Sequence, residues 1–206
     1  FTREELREAI NLVTFIKDNQ HVYAKEMVNR TLVTAFYEDD RNAKMAFTTA
    51  ATRMGGANFD FEFKEGESLK DAVMAMSSCG DVIVLNHPKK GAARAASLYA
   101  TIPVINAGDG GHNHPTQTLA DLLTIYREKG GFNNLTIGLC GDLKFGRTVH
   151  SLIEAMSRYS GIKFVLISPN ELKLPSYIRT DVIEKKGIEY TETTDLEAVM
   201  PELDIL

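Results

Sequence analysis

The sequence carries no basic excess: 23 Lys and Arg stand against 28 Asp and Glu, a formal net charge of -5. Such a chain lacks the positive field that gathers nucleic acid or an anionic membrane surface, so any anion it binds has to be held locally. Cysteine is sparse as well. Cys79 and Cys140 lie far apart in apolar surroundings, which fits neither a disulfide framework nor paired zinc ligands and suits a reducing, cytosolic compartment. Long apolar runs are missing: none approaches the ~18 residues of a membrane span, and the opening FTREELREAINLVTFIKDN is charged throughout, so neither a targeting segment nor a membrane anchor is expected. With 206 residues, 44% hydrophobic and 25% charged, what remains is ordinary globular composition, enough for one large domain or two small ones with their own cores.

Leu6, Ile10 and Val13 recur at helical spacing behind a Thr2/Glu5 capping box, which predicts an amphipathic helix over 3–18. LVTAFYE (32–38) has the β-branched and aromatic enrichment of a strand, and RNAKMAFTTAATRM after it is helical up to Gly55-Gly56. The alternation repeats as NFDFEF and SLKDAVMAMSS, DVIVLNH and GAARAASLYA, then IPVINAG and PTQTLADLLTIYREK. A second series starts after Gly130-Gly131 with LTIGLCGD, RTVHSLIEAMSRYS, KFVLIS, PSYIRTDVIEKKG, IEYTE, LEAVM and a last apolar LDIL. A parallel crossover needs a helix-length connection, so this rhythm predicts an α/β fold of two three-layer domains with mainly parallel sheets, 1–129 and 130–206. LDIL ends in mid-repeat, so the second domain is expected to be incomplete.

Open parallel sheets carry their sites at the carboxyl ends of strands, where loops and helix N-termini meet. In NAGDGGHNHPTQT, His114 and Gln117 lie three apart at a helix start, so both can converge on one carbonyl or oxyanion beside a positive dipole end. The bland alternative is a capped turn with surface histidines. His112-x-His114 could begin a metal site, yet no third ligand has suitable spacing. In GLCGDLKFGRTVHS, Lys144 and Arg147 sit near a helix start and suit a carboxylate or phosphate. Gly138, Gly141 and Gly146 are only loosely spaced as a dinucleotide fingerprint, and the next strand ends in Ser168 and Pro169 where a ribose-binding acid would be needed, so NAD is not expected.

NAGDGGHNHPTQTLADLLTI together with GLCGDLKFGRTVHSL resembles the catalytic chains of the aspartate carbamoyltransferase family. The likeness runs from FTREEL through FYE, HPKKGAARAA and PVINAGDG to LDIL, and GDLKFGRTVHS favours the aspartate over the ornithine branch of the superfamily. The resemblance implies carbamoyl transfer from carbamoyl phosphate to L-aspartate, in pyrimidine biosynthesis. By it, His114 would polarise the carbamoyl carbonyl and Gln117 would orient the carbamoyl amide. Arg147 would take the α-carboxylate of aspartate, which a guanidinium fork fits well. It implies no metal, covalent intermediate or organic cofactor. It also implies a homotrimer with shared sites, with or without regulatory chains.

Three loops depart from that family's pattern. Where the family reads F-Y-E-P-S-T-R-T-R, this chain reads FYEDDRNAK. Asp40 stands for the serine, Arg41 for the first threonine, Asn42 for the central arginine, Ala43 for the second threonine and Lys44 for the last arginine. Asn86 replaces the arginine of M-R-H-P. The loop between Gly56 and Glu67 is shorter, with Lys64 or Glu65 opposite the lysine that the family extends into a neighbouring subunit's site. Arg41, Asn42, Lys44, Lys64 and Asn86 are therefore the candidate positions on the phosphate side, and Asp39 and Asp40 are expected to cap the helix N-terminus and repel phosphate. The family activity is the functional reading taken, with phosphate reached through Arg41, Lys44 or residues beyond this segment; the alternatives are a noncatalytic paralogue with a structural or regulatory role, and a binder or transferase for a ligand without phosphate that uses His114, Gln117 and Arg147.

Overall fold

The computed structural model describes residues 2–37, 40–64, 66–110 and 114–206. Helix α1 (Arg3–Asp18) opens on the capping box: the Thr2 N–H donates to Glu5 Oε2 at 2.7 Å and the Glu5 N–H to Thr2 Oγ1 at 3.1 Å. The chain forms two compact units, Asn11–Thr116 and Phe1–Ile10 with Gln117–Leu206. The division falls within α1 and in the first turn of α5 (Pro115–Lys129).

The first unit runs β1 (Thr31–Phe36), α2 (Arg41–Arg53), β2 (Ala57–Phe61), α3 (Leu69–Cys79), β3 (Val82–His87), α4 (Ala92–Tyr99) and β4 (Val104–Asp109). Its four strands are parallel in the order β2-β1-β3-β4. Both faces of the central strands are covered. Val33, Ala35, Ile83 and Leu85 pack with Ala72, Val73 and Met76 of α3 and Ala93 and Ala96 of α4, while Leu32, Val84 and Ala107 pack with Ala51 of α2. This explains why β1 and β3 read as continuous apolar runs in place of alternating ones. Because β1 leads to β2 on one side and β3 to β4 on the other, strand order reverses between β1 and β3, and a crevice is expected at their carboxyl ends.

The second unit carries β5 (Thr136–Cys140), α6 (Arg147–Met156), β6 (Lys163–Ile167) and β7 (Glu189–Thr193), with the strands parallel in the order β5-β6-β7. Leu122, Ile137, Leu143, Ile153, Met156, Phe164 and Ile183 form its core. Two expectations change in detail. The final LDIL contributes one bridge, Ile205 to Ile137, and the segment PSYIRTDVIEKKG is a succession of short α, π and 3-10 turns that ends at Gly187 in the left-handed region. No helix of the described residues is long and apolar enough to cross a membrane.

Candidate functional site

Helix α2 is the next element after β1, and Asp40 occupies its cap position. Its Oδ1 accepts the Ala43 N–H at 3.1 Å, and its backbone carbonyl accepts the Lys44 N–H at 3.0 Å. One N–H of the first turn of α2 is thus taken by a carboxylate of its own chain, at the place where free N–H groups would draw an anion. Glu38 and Asp39 lie outside the described residues.

Lys44 is the last cation of this segment, and its ammonium is paired with Asp60 of β2. The other oxygen of Asp60 accepts the Thr34 hydroxyl at 3.1 Å. The parallel register sets Thr34 opposite Asp60, so β1, β2 and α2 are tied by one carboxylate. Both members of the pair are more than a third exposed, so its contribution is that of a surface ion pair, about 0.2–1 kcal/mol. Arg41 and Asn42 are exposed, and Asn42 lines a shallow groove along α2 with Met45, Thr49 and Arg53. Nothing in FYEDDRNAK marked Asp60 as the partner of Lys44; the β1–β2 register is what joins them.

Asn86 ends the apolar run of β3 and is fully buried. Its Nδ2 donates to the Ala107 carbonyl at 3.2 Å and its own carbonyl accepts the Tyr37 N–H at 3.0 Å, while its Oδ1 has no partner among the described residues. A buried acceptor left unpaired costs about 1–3 kcal/mol. The side chain therefore acts as a neutral brace between β3 and β4 and brings no charge to the crevice.

Lys64 lies in the loop between β2 and α3, where its N–H donates to Glu67 Oε2 at 3.0 Å. It lines a cavity shared with Tyr37, Phe63, His87, Lys89 and Lys90. Burial first, and then the nearby charge of Glu67, hold the Tyr37 hydroxyl above its ordinary pKa, so it stays a neutral donor. Glu65, the other residue aligned with the family lysine, lies outside the described residues.

His114 immediately precedes α5 and is buried, with Nδ1 3.4 Å from the Thr116 hydroxyl. Gln117, in the first turn of α5, donates from Nε2 to Asp121 Oδ1 at 2.8 Å. That bond holds the amide against the helix surface. His112 is outside the described residues, and among those described no group of three or more His, Cys, Asp or Glu is arranged for a metal ion.

The loop after β5 is built differently. Asp142 Oδ1 accepts the N–H groups of Lys144 and Phe145, each at 3.0 Å, so its carboxylate is consumed within the loop and not at the helix end. Gly146 caps α6 without a side-chain acceptor, and Arg147 is the first helical residue. Buried His150 holds the loop from beneath, its Nε2 2.8 Å from the Leu143 carbonyl, and Leu143 itself is buried. This bracing role was not evident in GRTVHS, since a buried histidine one turn past a helix start has no distinctive spacing.

Residues 1–127 match the family model described as the aspartate/ornithine carbamoyltransferase carbamoyl-P binding domain. The aspartate carbamoyltransferase catalytic subunit of Lachnoclostridium phytofermentans is 52% identical across 98% of this chain and 68% of its own length. That of Clostridium novyi is 50% identical, across 100% of this chain and 69% of its own. Among solved structures, the catalytic subunit of M. jannaschii aspartate transcarbamoylase superposes with a TM-score of 0.91 at 38% identity, covering 100% of this chain and 70% of that one. The Trypanosoma cruzi enzyme in complex with carbamoyl phosphate and aspartate superposes with a TM-score of 0.91 at 32% identity, covering 100% of this chain and 69% of that one. The chain belongs to the aspartate/ornithine carbamoyltransferase family, and its likeness is to the catalytic subunits of the aspartate branch.

Proposed function

We propose that this chain is an aspartate carbamoyltransferase-like protein whose phosphate side is disabled while its amino-acid side is kept, so that by itself it acts as a noncatalytic paralogue. In the family reaction the amine of L-aspartate attacks the carbamoyl carbon of carbamoyl phosphate. The C–N bond forms, the C–O bond to phosphate breaks, and the amine proton is lost, giving N-carbamoyl-L-aspartate and phosphate. His114 would donate to the carbamoyl oxygen as charge develops there, Gln117 would orient the carbamoyl amide, and Arg147 would hold the α-carboxylate. Residues 1–129 would form the carbamoyl phosphate-like domain and 130–206 the aspartate-like one.

The observation that carries the reading is Asp40, whose carboxylate caps the α2 N-terminus through the Ala43 N–H while Asp60 takes Lys44. A phosphate arriving there meets a fixed negative charge, a pair it would have to break, and a neutral Asn86 where the family has a cation. Losing two charge-assisted hydrogen bonds at about 1.5–3 kcal/mol each weakens binding by roughly 10² to 10⁴. Exposed Arg41 favours one other reading, a transferase that recruits phosphate from a single arginine.

The test is equilibrium binding of carbamoyl phosphate, L-aspartate and a bisubstrate phosphonate, alongside release of phosphate on mixing both substrates. The proposal expects aspartate binding with neither phosphate ligand bound and no turnover. Binding of all three with phosphate release would establish the transferase instead. The assembly is proposed as a homotrimer, with or without regulatory chains, since Val22, Val28, Phe59, Met74 and Leu98 leave apolar surface exposed on the first unit. Light scattering that gives only the monomer mass would remove that part.

A further inference from the structure

The first unit contains a cavity beside the carboxyl ends of β1 and β3. It measures about 680 Å³, within the range of sites for small organic ligands. None of Asp40 to Lys44, nor Asn86, lines it. Its walls come from the ends of β1 and β3 and from the face of the sheet covered by α3 and α4, whereas α2 covers the opposite face.

One wall is aromatic. Tyr37 and Phe63 stack with centroids 3.5 Å apart, and buried His87 meets the Tyr37 ring edge-on at 4.1 Å. His87 Nδ1 accepts the Lys89 N–H at 2.9 Å, which assigns the ring proton to Nε2. The opposite side is the turn from His87 to Ala92, and it is clamped before any ligand arrives. The Gly110 N–H donates to the His87 carbonyl at 2.8 Å, the Gly91 N–H donates to buried Asp109 at 2.9 Å, and a Cβ on Gly110 would lie 2.3 Å from the Pro88 carbonyl. Such pre-ordering removes part of the entropic cost of binding.

The charge at the mouth is the reverse of the chain's. Lys64, Lys89 and Lys90 line the cavity against one carboxylate among the described residues, that of Glu67, which is engaged by the Lys64 N–H. Among the described residues neither Lys64 nor Lys89 has an ion-pair partner. In a chain of net charge -5, the ammonium groups of Lys64 and Lys89 beside an aromatic pocket select for an anion, and the wall selects for a flat apolar body behind it.

We propose that the cavity between the β1 and β3 ends and α4 is a binding site for a small anion with a planar apolar body, an aromatic carboxylate, sulfonate or phosphate ester. The site meets the phosphate side at Lys64 alone and shares no residue with the Asp40 to Lys44 turn or with Asn86, so it does not rest on the reading of that turn.

Titration with 8-anilinonaphthalene-1-sulfonate, beside uncharged N-phenyl-1-naphthylamine, tests it, with methyl NMR to locate the bound probe. The expected result is one saturable site for the sulfonate, with shifts concentrated at Leu69, Ala92 and Ala95. Lys64→Glu with Lys89→Glu should weaken the sulfonate at least tenfold and the neutral amine less than twofold, and Ala95→Phe should weaken both. Lys129→Glu, outside the cavity, should change neither. All four side chains to be replaced are at least partly exposed, and a melting curve equal to the parent's certifies each fold. Shifts concentrated instead at the exposed Leu12 and Val13, or sulfonate affinity indifferent to the double charge reversal, would overturn the proposal.

Discussion

The β1–α2 and β5–α6 loops are the same device used in opposite ways. Each leads from a buried parallel strand to a helix N-terminus, and each contains an aspartate that bonds backbone N–H groups. In the first, Asp40 bonds the helix itself and places its charge on the helix end. In the second, Asp142 bonds the loop, and Gly146 leaves α6 without a side-chain cap while Arg147 stands at its first position. A cation at a helix N-terminus is unfavourable by about 0.3–1 kcal/mol, so the second arrangement gives up stability that the first one collects. The difference is one of charge: the α2 start carries its own acid, while the α6 start has no side-chain cap and carries an arginine.

The comparison breaks most visibly if the first loop can be made to behave like a phosphate site. Replacing Asp39→Pro, Asp40→Ser, Arg41→Thr, Asn42→Arg, Ala43→Thr and Lys44→Arg, together with Asn86→Arg, is expected to raise affinity for inorganic phosphate at least ~100-fold, read by ³¹P NMR titration. Turnover should stay weak, since positioning needs more than binding. On the other side, Arg147→Leu should cost at least ~10-fold in L-aspartate affinity by calorimetry. The same variant should be slightly more stable to urea, by about 0.3–1 kcal/mol, because the cation leaves the helix start. Lower stability in Arg147→Leu would mean that the arginine is a structural brace.

Smaller effects test the first loop as a structural element. Asp40→Ala should lose about 1 kcal/mol in urea unfolding as the cap of α2 disappears, and an unchanged midpoint would remove the capping account. Lys44→Met should lose under about 1 kcal/mol, since both partners of the Asp60 pair are partly exposed. The weakest effect concerns Asp81, held below the ordinary carboxylate range first by the Thr31 N–H and then by Arg30. Its folded pKa lies under its unfolded one, so its stabilisation is complete above the unfolded value and disappears as pH falls through the folded value. Asp81→Asn should therefore flatten only the acid limb of the stability profile.

Much of this was legible in the residues. The Thr2/Glu5 capping box located α1, and apolar runs bounded by Gly55-Gly56 and Gly130-Gly131 located the strands and helices, because burial on both faces leaves that pattern in parallel strands. Asp40 was legible as a cap of α2, since an aspartate three residues before Ala43 has a helix N–H within reach. Three features were not. Asp60 meets Lys44 only through the register of two parallel strands, which nothing local encodes. The loss of a regular helix after Pro175 depends on π and 3-10 turns that periodicity does not distinguish. The cavity wall needs Tyr37, Phe63 and His87 from three separate segments, so no motif could hold it.

The central claim is that α2 has filled its own anion site, and calorimetric titration of carbamoyl phosphate tests it most directly, with the unaltered chain beside the seven-fold restored one. The account predicts no measurable heat of binding for the unaltered chain up to about 10 mM, a ligand stabilisation weaker than roughly 3 kcal/mol, and a saturable isotherm for the restored chain. Equal affinity in the two chains would contradict it.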